Sequence, residues 1–129
     1  MSWNSSQNNS APKRKIQHHE SDLQKNCVKW FRFAYPQFII FSIPNGGSRN
    51  VIEAVRLKDE GVLAGVSDLF IPKPTRTFGG LFIEMKAPGG KVSEAQKSFM
   101  IKMLSLGYEC KVCHSFDEFR EAVDNYLAE

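Results

Sequence analysis

The chain has 129 residues, 42% hydrophobic and 24% charged, enough for one domain with a single core and ordinary for a globular protein. No apolar run approaches the ~20 residues that cross a bilayer, and the first fifteen residues lack the apolar stretch of a secretory signal. A soluble, intracellular protein is expected, and the formal net charge of +3 names no partner by itself.

Residues 1–15 are rich in Ser, Asn and Gln with one basic run, Lys13-Arg14-Lys15. They read as a disordered polar tail ahead of a domain over residues 16–129. A helix is expected to start near residue 16 or 20 and end at Ala34, because Leu23, Cys27, Trp30, Phe31 and Ala34 recur at three- and four-residue spacing. Pro36 ends it. Glu20 falls near its start, where the helix dipole favours a carboxylate; His18 and His19 read as surface residues. Residues 37–43 (QFIIFSI) read as a buried strand, and residues 44–48 (PNGGS) as a loop. Residues 49–60 read as a helix with Val51, Ile52 and Val55 turned inward, stopped by Gly61. Its cations Arg56 and Lys58 suit phosphate contact as well as a solvated helix face.

Residues 65–86, GVSDLFIPKPTRTFGGLFIEMK, organise the rest. Two apolar triplets, Leu69-Phe70-Ile71 and Leu81-Phe82-Ile83, flank a segment of Pro, Gly and Thr and read as paired strands. Antiparallel pairing about a centre near Arg76 places Asp68 opposite Glu84. Alternation along the strand puts Glu84 and Lys86 on one face and Met85 on the other. Two like charges side by side repel unless a cation lies between them. A hard divalent cation such as Mg²⁺ binds through one or two carboxylates with waters and phosphate oxygens. The plainer reading is two solvated strand-end acids with Lys86 as their surface partner.

After residues 87–90 (APGG), Ser93 caps a helix whose Ala95, Phe99, Met103 and Leu106 share a face, widened by Met100 and Leu104 and ended by Gly107. Residues 108–113 read as a strand, and Ser115 caps a last helix through Leu127 with Phe119, Val123 and Tyr126 inward. The order of elements implies an α/β fold, a mixed central sheet flanked by helices. Two other motifs fail. Gly89-Gly90-Lys91 lacks the Gly and the Ser or Thr of a phosphate-cradling loop. Cys110-x-x-Cys113-His114 has haem-attachment spacing but lies in a strand, where residues three apart face opposite ways. With Cys27 the cysteines number three and read as free core thiols. A thiol or metal protein using Cys110, Cys113 and His114 stays an alternative.

Glu20, Gly65-x-x-Asp68, Glu84-x-Lys86 and Gln96, in this order, resemble the PD-(D/E)XK nuclease superfamily. More closely, the chain resembles the VRR-NUC domain, the virus-type replication-repair nuclease, from about Glu20 to the C-terminus. Gln24, the Pro44-Asn45-Gly-Gly turn and Arg56-Leu57-Lys58 ahead of Gly61 add to the likeness; Ser67 stands where that family usually has proline. The resemblance implies a restriction-endonuclease-like core and a Mg²⁺- or Mn²⁺-dependent endodeoxyribonuclease. It implies that Asp68, Glu84, the backbone carbonyl of Met85 and, directly or through water, Glu20 hold the metal. Lys86 would orient or deprotonate the attacking water, and Gln96 would contact a water or phosphate. Arg49, Arg56, Lys58, Lys91 and Lys97 are assigned to DNA phosphates. Stand-alone phage and bacterial domains of this type resemble dimeric, structure-selective endonucleases. The implied protein is therefore a cytoplasmic homodimer acting on branched DNA, four-way junctions first, without a membrane or small-molecule cofactor. A nuclease of this fold acting on flapped, nicked or ordinary duplex DNA, and a non-catalytic nucleic-acid-binding module, are the alternatives.

Overall fold

The two apolar triplets form the middle of the sheet in the computed structural model, which describes residues 13–44 and 50–129. Leu69–Ile71 (β2) and Leu81–Met85 (β3) run antiparallel in the register Leu69↔Ile83, Phe70↔Phe82, Ile71↔Leu81. Continued by one pair, that register sets Asp68 across from Glu84, as a centre at Arg76 requires. Phe41–Ser42 (β1) lies antiparallel to β2, and Glu109–Cys113 (β4) lies parallel to β3, giving the order β1-β2-β3-β4. The helices are Lys13–Ala34 (α1), Val51–Asp59 (α2), Glu94–Ser105 (α3) and Phe116–Leu127 (α4). The α/β architecture with a mixed, helix-flanked sheet is as expected, and α3 makes the crossover that a parallel pair needs.

Strand alternation divides the residues between two layers. Leu69, Ile71, Leu81, Ile83 and Met85 pack with Cys27 and Phe31 of α1 and with Phe119, Val123 and Tyr126 of α4 in the main core. The alternate residues face α3, where Phe70 and Phe82 stack at 4.3 Å and Phe82 meets Phe99 edge-on at 5.2 Å. Glu84, two residues from Phe82, belongs to this second face. Gly65 sits under α3 with φ +89°, and a Cβ there would lie 2.3 Å from the Ala95 carbonyl oxygen. Only glycine permits both that backbone and that approach, so the loop into Asp68 is fixed against α3.

Four expectations change. The first helix begins at Lys13 and takes in the basic run that composition places in the tail; Lys, Arg and Gln are good helix formers. Of the strand expected over residues 37–43, only Phe41 and Ser42 pair. In the observed register the next partners back are Ile71 and Pro72, and proline has no N–H to continue a ladder. The α2 stripe is not turned inward: Val51, Ile52 and Val55 are 76%, 80% and 55% exposed, and the helix buries no residue. On α3 only Phe99 is buried, Met100 and Met103 are half-buried, and Ala95, Leu104 and Leu106 are exposed. Residues 1–12, the turn residues 45–48 and Arg49 lie outside the described residues.

Candidate active site

Glu84 lies at the end of β3, where the apolar ladder gives way to polar side chains. It is 3% exposed, although its neighbours on the strand are Ile83 and Met85. Gln96 Nε2 donates to Glu84 Oε2 at 3.0 Å, and Lys86 Nζ approaches the same oxygen at 3.9 Å. Glu84 Oε1 is buried and receives no hydrogen bond. Burial first, then the Asp68 charge and a carboxyl–carboxyl hydrogen bond to Asp68, push the Glu84 carboxyl up from 4.5 to about 8. Lys86 pulls it down, and Glu20 adds to the rise. Without a metal, Glu84 therefore holds a proton near neutrality; ionised, its Oε1 has no hydrogen-bond donor.

The surrounding residues are each anchored to backbone. Asp68 Oδ2 accepts the Met85 N–H at 2.7 Å. Glu20 Oε2 accepts the Ala87 N–H at 3.2 Å, reaching the end of β3 from α1 in the opposite layer. Because α1 starts at Lys13, Glu20 is two turns inside the helix, beyond the first-turn reach of the dipole. Its partner is the strand. Gln96 completes a capping box: its Oε1 accepts the Ser93 N–H at 2.8 Å while Ser93 Oγ accepts the Gln96 N–H at 3.1 Å. That box holds the Gln96 amide over Glu84. The Ser93-x-x-Gln96 spacing is legible in sequence as a helix start, but its second task on Glu84 is not.

Thus Glu20, Asp68, Glu84, Lys86 and Gln96 come together at one end of the sheet. Met85 sends its side chain into the core and its N–H to Asp68. Ser67, before the aspartate, is buried at 1% exposure. Among the described residues no three His, Cys, Asp or Glu side chains form a complete metal cage. Two facing carboxylates with one unpartnered, buried oxygen instead fit an ion such as Mg²⁺, which keeps waters and takes few protein ligands.

The assigned phosphate contacts are less convergent. Arg56 is paired with Glu60 at 2.9 Å on the exposed α2, and Lys58 lines an open groove with Ala54, Leu57 and residues 61–65. Lys91 is exposed on the loop after β3, and Lys97 lies 3.5 Å from Glu94; Arg49 is outside the described residues. His18 and His19 are exposed. Cys27, Cys110 and Cys113 are free, and burial raises their thiols to about 11, 11 and 12. His114 is engaged elsewhere, with Nε2 2.9 Å from the Gly90 carbonyl. Among the described residues no helix is long and apolar enough to cross a membrane.

A solved structure described as a VRR_NUC domain protein shares this fold with a TM-score of 0.70 at 24% identity, covering 84% of this chain and 88% of that one. No curated protein matches the chain significantly. The model of the VRR-NUC domain, a nuclease-type family, matches residues 4–117, and by that match over most of its length the chain belongs to the VRR-NUC domain family.

Proposed function

We propose that this protein is a metal-dependent endodeoxyribonuclease of the PD-(D/E)XK type, hydrolysing phosphodiester bonds in branched DNA, with four-way junctions the first candidate. The observation that carries this reading is Glu84. It is a buried carboxylate facing Asp68, with Lys86 beside it and one oxygen left without a donor. Asp68 and Glu84, with the Met85 carbonyl and Glu20, are the residues that would hold Mg²⁺ or Mn²⁺. When bound, such an ion supplies charge stabilisation at a phosphoryl oxygen and lowers the pKa of a bound water. Lys86 orients the attacking water and takes part in its deprotonation as the P–O bond breaks. Gln96 holds Glu84 in the orientation that faces the ion.

Part of this proposal is that two copies act together, since a two-fold dimer presents two sites at fixed separation and suits paired nicks on a symmetric junction. The exposed Val51, Ile52 and Val55 of α2 support a protein partner. Of the phenylalanines that could add to such a surface, Phe31 is fully buried, Phe38 and Phe78 pack on the core, and Phe33 is 86% exposed. The test is a panel of labelled four-way junction, flap, nicked, single-stranded and linear DNA with Mg²⁺, Mn²⁺, Ca²⁺ or chelator, beside light scattering for mass. Paired nicks in the junction with Mg²⁺ or Mn²⁺, binding without cutting in Ca²⁺, and twice the chain mass are expected. Preference for flaps or linear duplex would move the substrate to the alternative. Full cutting in chelator would overturn the metal mechanism.

A further inference from the structure

The site sits at one end of the sheet, and the cations first assigned to DNA do not lead to it. Arg56 and Lys58 share α2 with Glu53 and Asp59, and Arg56 is tied to Glu60. A different row does lead there. Ser21, Lys25, Lys29 and Arg32 recur at four, four and three residues along α1, which puts them on one stripe. The stripe begins one residue after Glu20. Gln24, at i+4 from Glu20, lies beside it. Over the eleven steps from Ser21 to Arg32 an α-helix rises ~16 Å.

That stripe is one wall of an open groove of about 530 Å³, lined by Ser21, Gln24, Lys25, Lys29, Arg32 and, across from them, Phe41 and Ser42 of β1. β1 is the edge strand among the described residues, and its far side carries no further strand there. Its Ser42 end is held at the site, because the next residue, Ile43, donates its N–H to the Asp68 carbonyl at 2.8 Å. Asp22 is the one acid of the Ser21–Arg32 stretch. It approaches Lys25 only at 3.9 Å, with both side chains more than 70% exposed, and such pairs are weak. Arg32 uses one N–H on the Ile40 carbonyl at 3.4 Å and has four more donors. Phe41 is 43% exposed, but as the partner of Phe70 it turns its ring to the α3 face, edge-on to Phe70 at 5.8 Å; Ser42, the partner of Leu69, is on the α1 face.

We infer that this groove between α1 and β1 carries the sugar–phosphate backbone of the DNA strand leading away from the cleavage point, with Lys25, Lys29 and Arg32 as phosphate contacts. The inference rests on the nuclease reading above and names the path its substrate takes. A row of cations in a groove with hydroxyl and amide donors suits a polyanion, and its origin beside Glu20 joins it to the carboxylate cluster. The net charge of the whole chain hides it, because acids elsewhere, such as Asp117, Glu118, Glu121 and Asp124 of α4, offset the row.

The test is binding of a fluorescent four-way junction in Ca²⁺, titrated over a range of about 50 to 300 mM salt. Four variants are compared with wild type: Lys25→Ala/Lys29→Ala, the same with Arg32→Ala, Arg32→Lys alone, and Lys102→Ala, which removes an exposed cation from α3. Each lost phosphate contact should lower the slope of log K against log salt by about 0.9. The slope should therefore drop by about 2 in the double variant and nearly 3 in the triple, with affinity at low salt down at least about tenfold. Lys102→Ala should keep both wild-type values, and Arg32→Lys, which keeps the charge, should keep most of the slope. Near-wild-type slope and affinity in the double variant, from a wild type that binds and cuts, would overturn the groove and leave the nuclease reading standing. An equal drop in Lys102→Ala would also overturn it, in favour of diffuse charge. A wild type that neither binds nor cuts any DNA overturns both.

Discussion

Glu84→Gln should make the metal-free protein more stable at alkaline pH and remove most of the pH dependence that this site gives to folding. In the native state burial, Asp68 and Glu20 outweigh Lys86 and carry the carboxyl from 4.5 to about 8. Between those values the folded protein holds a proton that the unfolded chain has released, so stability falls as pH rises. The contribution is fully present below 4.5 and lost above 8. At about 1.4 kcal/mol for each tenfold change, the loss is on the order of 5 kcal/mol, large beside the ~5–15 kcal/mol of a small domain. Gln keeps the oxygen that accepts from Gln96 and has no charge to bury. The assay is urea unfolding in chelator from about pH 5 to 9, reading the difference between the two proteins, which cancels the other titrating groups. The difference should widen by several kcal/mol in favour of Gln as pH rises. Mg²⁺ at pH 8 should then stabilise wild type, because binding to the folded state adds RT ln(1 + [Mg²⁺]/Kd), and should do little for Glu84→Gln. Parallel stability curves for the two proteins would refute the buried, unpartnered carboxylate.

Three further outcomes follow from the same geometry. Asp68→Ala and Asp68→Asn should both abolish metal-dependent cutting, but only Ala leaves the buried Met85 N–H unpaired. It should be less stable than Asn by about 1–3 kcal/mol, with equal urea midpoints counting against that bond. Gly65→Ala must place a Cβ 2.3 Å from the Ala95 carbonyl oxygen at φ +89°; more than about 3 kcal/mol should be lost, and a melting temperature within about 2 °C of wild type would show that α3 does not rest there. The cysteine thiols, raised to about 11, 11 and 12, should resist iodoacetamide at pH 8 until the protein is unfolded; rapid labelling of the native protein would contradict their burial.

The paired strands were legible because each run is short, bounded by Pro or Gly, and compatible with one centre, so the Asp68–Glu84 juxtaposition could be worked out by counting. The two faces of β3 followed from alternation alone. What sequence could not supply was the partner of each surface. The period of α2 marks an amphipathic helix but not what covers its apolar side, and Val51, Ile52 and Val55 prove exposed. The length of β1 depends on Pro72, just past the end of β2. Glu20 looked like a helix-start acid because the true start lies upstream, in a run whose polarity suggests a tail. The spacing of Lys25, Lys29 and Arg32 is visible in sequence, but a groove needs a second wall, and only the placement of β1 provides one.

The unpaired edge of β3 explains why acids gather here at all. Backbone N–H groups alternate in direction along a strand. Lys86 donates to the Cys113 carbonyl on the β4 side at 3.0 Å, so Met85 and Ala87 point the other way, toward β2. The β2 strand begins only at Leu69, and the chain before it bends under α3 at Gly65. Past that point β3 has two donors and no strand to receive them. Asp68 takes the first and Glu20 the second, each as a charge-assisted bond stronger than an ordinary amide pair. Two carboxylates are thus drawn to the strand end by hydrogen-bond demand, next to the position from which Glu84 projects. Glu84 is buried beside them with the Gln96 amide at 3.0 Å and Lys86 at 3.9 Å; burial and the neighbouring Asp68 raise its carboxyl, so it is the member of the cluster on which the proton settles. The ladder that stops short therefore sets the polarity of the site: two acids held in place by backbone, and a third left unsatisfied until a cation reaches it.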